Sequence, residues 1–261
     1  MYSLSPEQLC HYHNYGFVVI NQALSPAELE TLNVAAHTVA AQLSPKHQDT
    51  FDYDVEHWLD GKRFVELEKS TVQFEKDNHT VRVVEPIHHL HEAFAGLVHD
   101  SRLTQPIRQI LGQEDLALWT CKLNFRQPNS FAFGWHQDSP YWIHNCAHVE
   151  KLPNVMVALQ PQSKQNGCFQ VIPGSHQQGL LPGTNDGTSL GGFYTDPTTF
   201  DESHAKLLEV DAGSLIFFHP HIIHGSKANN STESRTALIY TFQPGNYPTL
   251  KHGDTHNVTM S

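Results

Sequence analysis

The chain changes texture at Gly112, and that change limits what it can fold into. Beyond it, short β-prone runs at 117–125, 155–160, 168–172, 214–218 and 236–242 are separated by clusters of Gly, Pro and Asn. Strands this short and this regularly interrupted close into an antiparallel barrel or a two-sheet roll. The first 112 residues read as a mostly helical layer. Ser5-Pro6-Glu7 places a cap and a proline at the first turn of a short helix that Gly16 ends. A β-branched run at 17–20 follows, predicting one buried strand. Ser25 and Glu28 then spell a capping box, and Leu29, Leu32, Ala36, Val39 and Leu43 recur at helical spacing. Residues 44–80 show no clear period and read as a long lid-like loop with at most one short helix. A second helical stretch runs from about 88 to 112, broken near Asp100-Ser101. No linker-like run marks residue 113, so residues 1–261 are expected to form one domain. In it a helical layer and lid loop (1–112) pack on a β-roll (113–261).

Composition narrows the chemistry. The 261 residues carry 16 Lys and Arg against 27 Asp and Glu, a net charge of −11. Such an acidic surface repels phosphate backbones, so nucleic acid is not an expected partner. No run of about 18 apolar residues is present, so no membrane span is expected. Four scattered cysteines without a C-x-x-C pair, and an N-terminus unlike a signal peptide, point to reduced thiols in a cytoplasm. The 20 histidines are the unusual number. Histidine titrates near neutrality and is the commonest metal ligand, although most of so many must be ordinary surface residues.

The most informative segment is FGWHQDSPYW, residues 133–142. In a strand, His136 and Asp138 would project to one face, because side chains alternate with period two. An imidazole beside a carboxylate supplies two ligands of a 2-His-1-carboxylate triad, which leaves positions on ferrous iron open. Isolated, H-x-D is a weak signal and needs a distal histidine. LIFFHPHIIHGS offers His219, His221 and His224. Arg235 follows His224 by eleven residues, and across a hairpin its guanidinium would come beside the metal, shaped to clamp a carboxylate. Asn166-Gly167 and Pro173-Gly174 are turn signals and read as structural, as does His176.

WHQDSPYW, NGCFQVIPGSH, HIIHGS with SRTALIY, and the N-terminal YGFVVINQALSPAELETL together resemble the phytanoyl-CoA dioxygenase family of iron(II)/2-oxoglutarate oxygenases. The resemblance spans nearly the whole chain. It implies a mainly β fold, a double-stranded β-helix (jelly-roll, cupin-like) core with N-terminal helices. It also implies His136, Asp138 and His224 as iron ligands, with Arg235 and Ser226 on the far carboxylate of 2-oxoglutarate. Asn124 matches an upstream polar position that often touches the co-substrate, and Lys122 shares its strand face. The implied reaction consumes O2 and 2-oxoglutarate, releases succinate and carbon dioxide, and oxidises a C–H bond. Related halogenases replace the carboxylate by a small residue, so Asp138 implies a halide-free oxidation.

For the substrate, Tyr141, Trp142 and Trp135 flank the motif and are expected near the metal. An aromatic there suits an apolar body or a quaternary ammonium. Lys122 or Arg126 could pair with an acidic group instead. The net charge weighs against an acyl-CoA, which leaves a small polar or natural-product substrate as the expectation. Three alternatives stand beside it: an acyl-CoA hydroxylase, a cupin-like metalloenzyme that does not use 2-oxoglutarate, and a non-catalytic metal-binding protein. The loops at 44–80 and 177–205 are expected to act as specificity-setting lids.

Overall fold

The computed structural model describes residues 2–44, 55–67, 69–75 and 80–247. Helix α1 (Pro6–Tyr15) and helix α2 (Pro26–Gln42) both begin with complete capping boxes, Ser5 with Gln8 and Ser25 with Glu28. In each, the serine accepts from an otherwise orphaned N–H of the first turn, and the longer side chain reaches back to the cap. Gly16 closes α1 at φ 81°, a left-handed conformation that glycine adopts without steric cost. Strand β1 (Phe17–Ile20) lies between them. Helices α3 (Glu92–Val98) and α4 (Ser101–Leu111) divide at His99-Asp100, where Asp100 caps the second. Among the described residues no helix is long and apolar enough to cross a membrane.

After α4 come β6 (Leu116–Arg126), β7 (Phe133–His136), β8 (Asn154–Ala158), β9 (Phe169–Val171), β10 (Lys206–Leu207), β11 (Leu215–Phe218), β12 (His224–Ser226) and β13 (Arg235–Pro244). They form two facing antiparallel sheets. The smaller has the order β10-β9-β12-β7; the larger includes β1-β11-β8-β13-β6. This is the jelly-roll expected from the spacing of the runs. Each central strand of the large sheet is covered on both sides, which is why Leu215–Phe218 is apolar throughout. Val155, Val157, Leu123, Phe125, Leu238 and Tyr240 face the core shared with the helices. Met156, Ala158, Ile216, Phe218 and Ala237 face the interior of the roll. A period of two therefore separates a packing face from a face available for chemistry.

The stretch 44–80 departs from expectation. Its described part contains strands β2 (Val55–Leu59), β3 (Lys62–Leu67) and β4 (Ser70–Phe74), and with β5 (Val81–Glu85) they extend the large sheet through β6 to nine strands. The remaining positions of that loop, 45–54, 68 and 76–79, lie outside the described residues. The alternation was concealed because the inward positions include Arg63 and Ser70 beside Val65, Leu67, Val72 and Phe74. Arg63 is buried with a salt bridge to Glu56 at 2.9 Å, and the Ser70 hydroxyl donates to the Pro86 carbonyl. A second missed signal is Asp60-Gly61, with φ of 50° and 72°, a two-residue hairpin turn of the primed type. The N-terminal half is thus not a helical layer alone. The large sheet draws strands from both sides of residue 113.

The 177–205 segment has no long element. It runs as short 3-10 turns along the mouth of the roll. The Gln137 side chain fixes its start, donating to Gly179 and accepting from the Leu181 N–H. Asp60 at the β2–β3 turn accepts from the Ser189 and Leu190 N–H groups, and Lys62 donates to the Tyr194 hydroxyl at 2.9 Å.

Candidate metal centre and its cavity

His136 ends β7 and His224 begins β12, and the two are direct cross-strand partners with ring centroids 4.1 Å apart. Asp138 lies beyond the end of β7 with helical backbone angles, so it does not share a strand face with His136. It reaches the same place because the chain turns: the N–H groups of Asp138 and Ser139 both donate to the Pro220 carbonyl. One ligand atom from each of the three residues lies within 4.8 Å of the others.

The tautomers are set by the backbone. Nδ1 of His136 lies 2.7 Å from the Gly134 carbonyl and Nδ1 of His224 lies 3.0 Å from the Ile222 carbonyl. A carbonyl only accepts, so both Nδ1 atoms carry the proton and both Nε2 lone pairs are left for a metal. Burial, together with His224 nearby, pushes the pKa of His136 down to about 3; burial also lowers that of His224. Both rings are therefore neutral at physiological pH, as metal ligation requires. Asp138 accepts from the Asn154 amide at 3.0 Å, and Asn154 in turn accepts from the Thr241 hydroxyl.

These three residues open into a cavity of about 250 Å³ between the sheets. Lys122, Asn124 and Arg126 line it at alternate positions along β6, and Ile239, Ala237 and Arg235 stand opposite them in register on β13. Lys122 occupies the metal end, 4.0 Å from Asp138 and 3.8 Å from Glu85. At the other end sit Arg126, Arg235 and Ser226. Arg235 is 4% exposed and donates to the Gln162 side chain at 3.1 Å. Asn124 Oδ1, Arg126 Nε and Nη1, Ser226 Oγ and Arg235 Nε are buried without a partner among the described residues. Orphaned polar atoms are rare in folded proteins, and a row of them along one cavity marks where a polar ligand is received. An iron ion and 2-oxoglutarate fit these residues: imidazole and carboxylate ligands at one end, hydroxyl and guanidinium donors at the other.

Residues 12–237 match the family model described as Phytanoyl-CoA dioxygenase (PhyH). The chain belongs to the phytanoyl-CoA dioxygenase family. Membership makes it an iron(II)/2-oxoglutarate-dependent dioxygenase, as the motifs implied. It is 27% identical over 209 residues to a probable alpha-ketoglutarate-dependent hypophosphite dioxygenase of Stutzerimonas stutzeri, covering 76% of this chain and 72% of that protein. It is also 27% identical over 258 residues to an ectoine dioxygenase of Streptomyces anulatus, covering 92% and 78%. In fold it is similar to EctD from S. alaskensis with bound Fe, at a TM-score of 0.72, 22% identity and coverage of 95% and 79%.

Several sequence expectations for this phytanoyl-CoA dioxygenase family member need correction. Arg235 does not reach the cavity across a hairpin from His224. β12 and β13 belong to opposite sheets, and residues 227–234 between them carry the chain across the roll. Trp142 does not line the cavity; it is fully buried against Trp119. Trp135 lies outside as well, edge-on to Phe200, because neighbours of an inward-facing strand residue point outward. Tyr141 does line it, 41% exposed at the mouth and stacked on Phe193 at 4.5 Å. His219 and His221 stay out of the triad, His221 beside the Ser139 hydroxyl; His176 is tied to the His13 carbonyl. Asn166-Gly167 is structural: Gly167 has φ 70°, and a Cβ there would collide with the Lys227 carbonyl. Sequence reasoning missed Asn154, Gln162 and Glu85. The first had one visible signal, a lone amide opening the apolar run NVMVA.

Proposed function

We propose that His136, Asp138 and His224 hold iron(II), that Arg235, Ser226 and Asn124 hold 2-oxoglutarate, and that the enzyme hydroxylates a small polar substrate. The observation that carries this is the pairing, in one cavity, of three converging ligand atoms with a row of buried, unpartnered polar groups. When bound, iron and 2-oxoglutarate supply an O2-dependent oxidation in which 2-oxoglutarate becomes succinate and carbon dioxide while a substrate C–H bond is oxidised. The protein's share is positioning and exclusion of water. The Gly134 and Ile222 carbonyls fix the tautomer and aim of the two imidazoles, which burial keeps neutral; Asn154 holds the carboxylate. Met156, Phe169 and Ile239 make the surrounding wall apolar, and Tyr141 with Phe193 narrows the mouth.

The substrate side supports a molecule carrying both signs of charge. Lys122 and Glu85 face the cavity 3.8 Å apart at the metal end. A half-buried pair of this kind is matched by a ligand whose acidic group meets the ammonium and whose cationic group meets the carboxylate. Hypophosphite and ectoine, after which the two relatives are named, are also small and polar. All four cysteines are free, in keeping with a reducing cytoplasm.

The test is succinate formation with iron(II) and 2-oxoglutarate across amino acids, aminophosphonates and their singly charged analogues. Stimulation by doubly charged compounds, lost in His136→Ala and Asp138→Ala, is expected. Undiminished turnover in either variant refutes the ligand assignment, and equal stimulation by singly charged analogues refutes the substrate class.

A further inference from the structure

Arg126 is the least expected side chain in the cavity. It is 1% exposed, and only one of its nitrogens has a partner among the described residues: Nη2 donates to the Lys227 carbonyl at 2.9 Å, one residue beyond Ser226. Nε and Nη1 have none. Its surroundings are cationic. Arg235 is its direct cross-strand partner, and Arg82 shares the Phe133 ring with it, the ring centroid lying 3.9 Å from the Arg82 guanidinium and 4.9 Å from that of Arg126. Glu75, the carboxylate in reach, is engaged by Arg82 at 2.9 Å. Burial and then the charges of Arg82 and Arg235 push the Arg126 pKa down to about 9. A buried guanidinium with two idle donors and cationic neighbours is held in readiness for an anion.

Register says which anion. Directly opposed side chains on one sheet face are about 5 Å apart, so Arg126 and Arg235 flank the same space. That space is four residues along β6 from Lys122, about 13 Å at the usual strand rise, and therefore at the end of the cavity away from the metal ligands. A substrate presented to the metal from Lys122 and Glu85 does not extend there. On the reading that Arg235 and Ser226 bind 2-oxoglutarate, its far carboxylate would lie there.

We propose that Arg126 is a second guanidinium for the far carboxylate of 2-oxoglutarate, gripping it jointly with Arg235 and Ser226. The proposal rests on the reading that Arg235 and Ser226 bind the co-substrate, and it moves Arg126 from the substrate side, where the sequence put it, to the co-substrate. Nε or Nη1 of Arg126, paired with the second N–H of Nη2, forms a fork that donates to the carboxylate, and Nε of Arg235 meets the same group from β13. One fork orients the carboxylate; two fix it in position and distinguish it from a neutral chain end.

The experiment titrates protein loaded with redox-inert zinc(II) by calorimetry, first with 2-oxoglutarate and then with 2-oxobutyrate, which lacks the far carboxylate. Arg126→Gln is expected to weaken 2-oxoglutarate at least ten-fold while changing 2-oxobutyrate less than two-fold, and Arg126→Lys to fall between. Unchanged 2-oxoglutarate affinity in Arg126→Gln, or an equal loss for both ligands, overturns the proposal. Arg235→Ala is the parallel arm: if it too leaves 2-oxoglutarate binding intact, the co-substrate reading itself has failed. Should Arg126→Gln not fold, arginine-selective nitrogen NMR of the unmutated protein decides. Shifts of the Nε–H signals of both Arg126 and Arg235 on adding 2-oxoglutarate are expected, and a shift of Arg235 alone overturns the proposal.

Discussion

Asn154→Leu tests whether the carboxylate ligand is held by its neighbour or only accompanied by it. Asn154 is fully buried; its amide donates to Asp138 Oδ2 at 3.0 Å and its carbonyl accepts from the Thr241 hydroxyl. Leucine keeps the volume and removes both hydrogen bonds. A buried bond to a charged group contributes about 1.5–3 kcal/mol and a neutral one about 1, so the variant is expected to lose about 3 kcal/mol in urea unfolding. Partners that orient a metal ligand are also worth about 10–100-fold in metal affinity, so anaerobic iron(II) titration is expected to show a loss in that range. Thr241→Val separates the two effects. It breaks the outer bond but leaves the one to Asp138, and is expected to cost about 1 kcal/mol with a smaller loss of iron affinity. Wild-type iron binding by a destabilised Asn154→Leu would refute the reasoning: Asp138 would then need no orienting partner.

The remaining expectations are brief. Arg235→Lys keeps the charge but loses the fork, and kcat/KM for 2-oxoglutarate is expected to drop at least ten-fold, with an unchanged value counting against Arg235 as the anchor. Iron(II) at about 100 times its dissociation constant should stabilise the protein by about 2.7 kcal/mol in anaerobic unfolding, and Asp138→Ala should abolish the increment. His219 is half-buried beside His176, His221 and His13, and its pKa is pushed down to about 3 by burial and those neighbours. The unfolded chain binds that proton near pH 6.5, so this contribution is present above 6.5 and declines as pH falls towards 3. At pH 5 the loss is about 2 kcal/mol, and His219→Gln should reduce the fall in urea midpoint between pH 7 and 5. Gly167→Ala combines a left-handed φ with a collision at the Lys227 carbonyl and should lower the thermal midpoint by several degrees.

How far the sequence could be read follows from what each signal depends on. Helix starts were legible because a capping box is local: Ser25 and Glu28 satisfy each other within one turn. The β-roll was legible because its strands alternate with turn residues. The convergence of His136, Asp138 and His224 was legible only from the motifs in combination, since neither H-x-D nor H-G-S is specific alone. The route by which they converge was not, because it depends on a turn past His136 and a crossing between sheets after Ser226. Strands β3 and β4 were hidden for another reason: Arg63 and Ser70 occupy inward positions, satisfied by Glu56 and by the Pro86 carbonyl from elsewhere in the chain. Polar residues inside a fold declare themselves only once their partners are placed. The same holds for Arg126, which was read as a substrate contact from its type alone.

The β2–β3 turn and the 177–205 segment are more than a hundred residues apart in sequence, yet Asp60 and Lys62 bind one to the other through Ser189, Leu190 and Tyr194. Whatever shapes the entrance therefore has two authors that must agree. Transplanting the 177–205 segment from a relative with a different substrate would sever these ties and leave the exposed Asp60 carboxylate and the half-buried Lys62 ammonium to find new partners. A chimera that exchanges residues 55–74 at the same time carries the ties with it. Changing what this enzyme accepts is accordingly a problem of moving two distant stretches as one inherited unit, and single-loop grafts are the wrong grain for it.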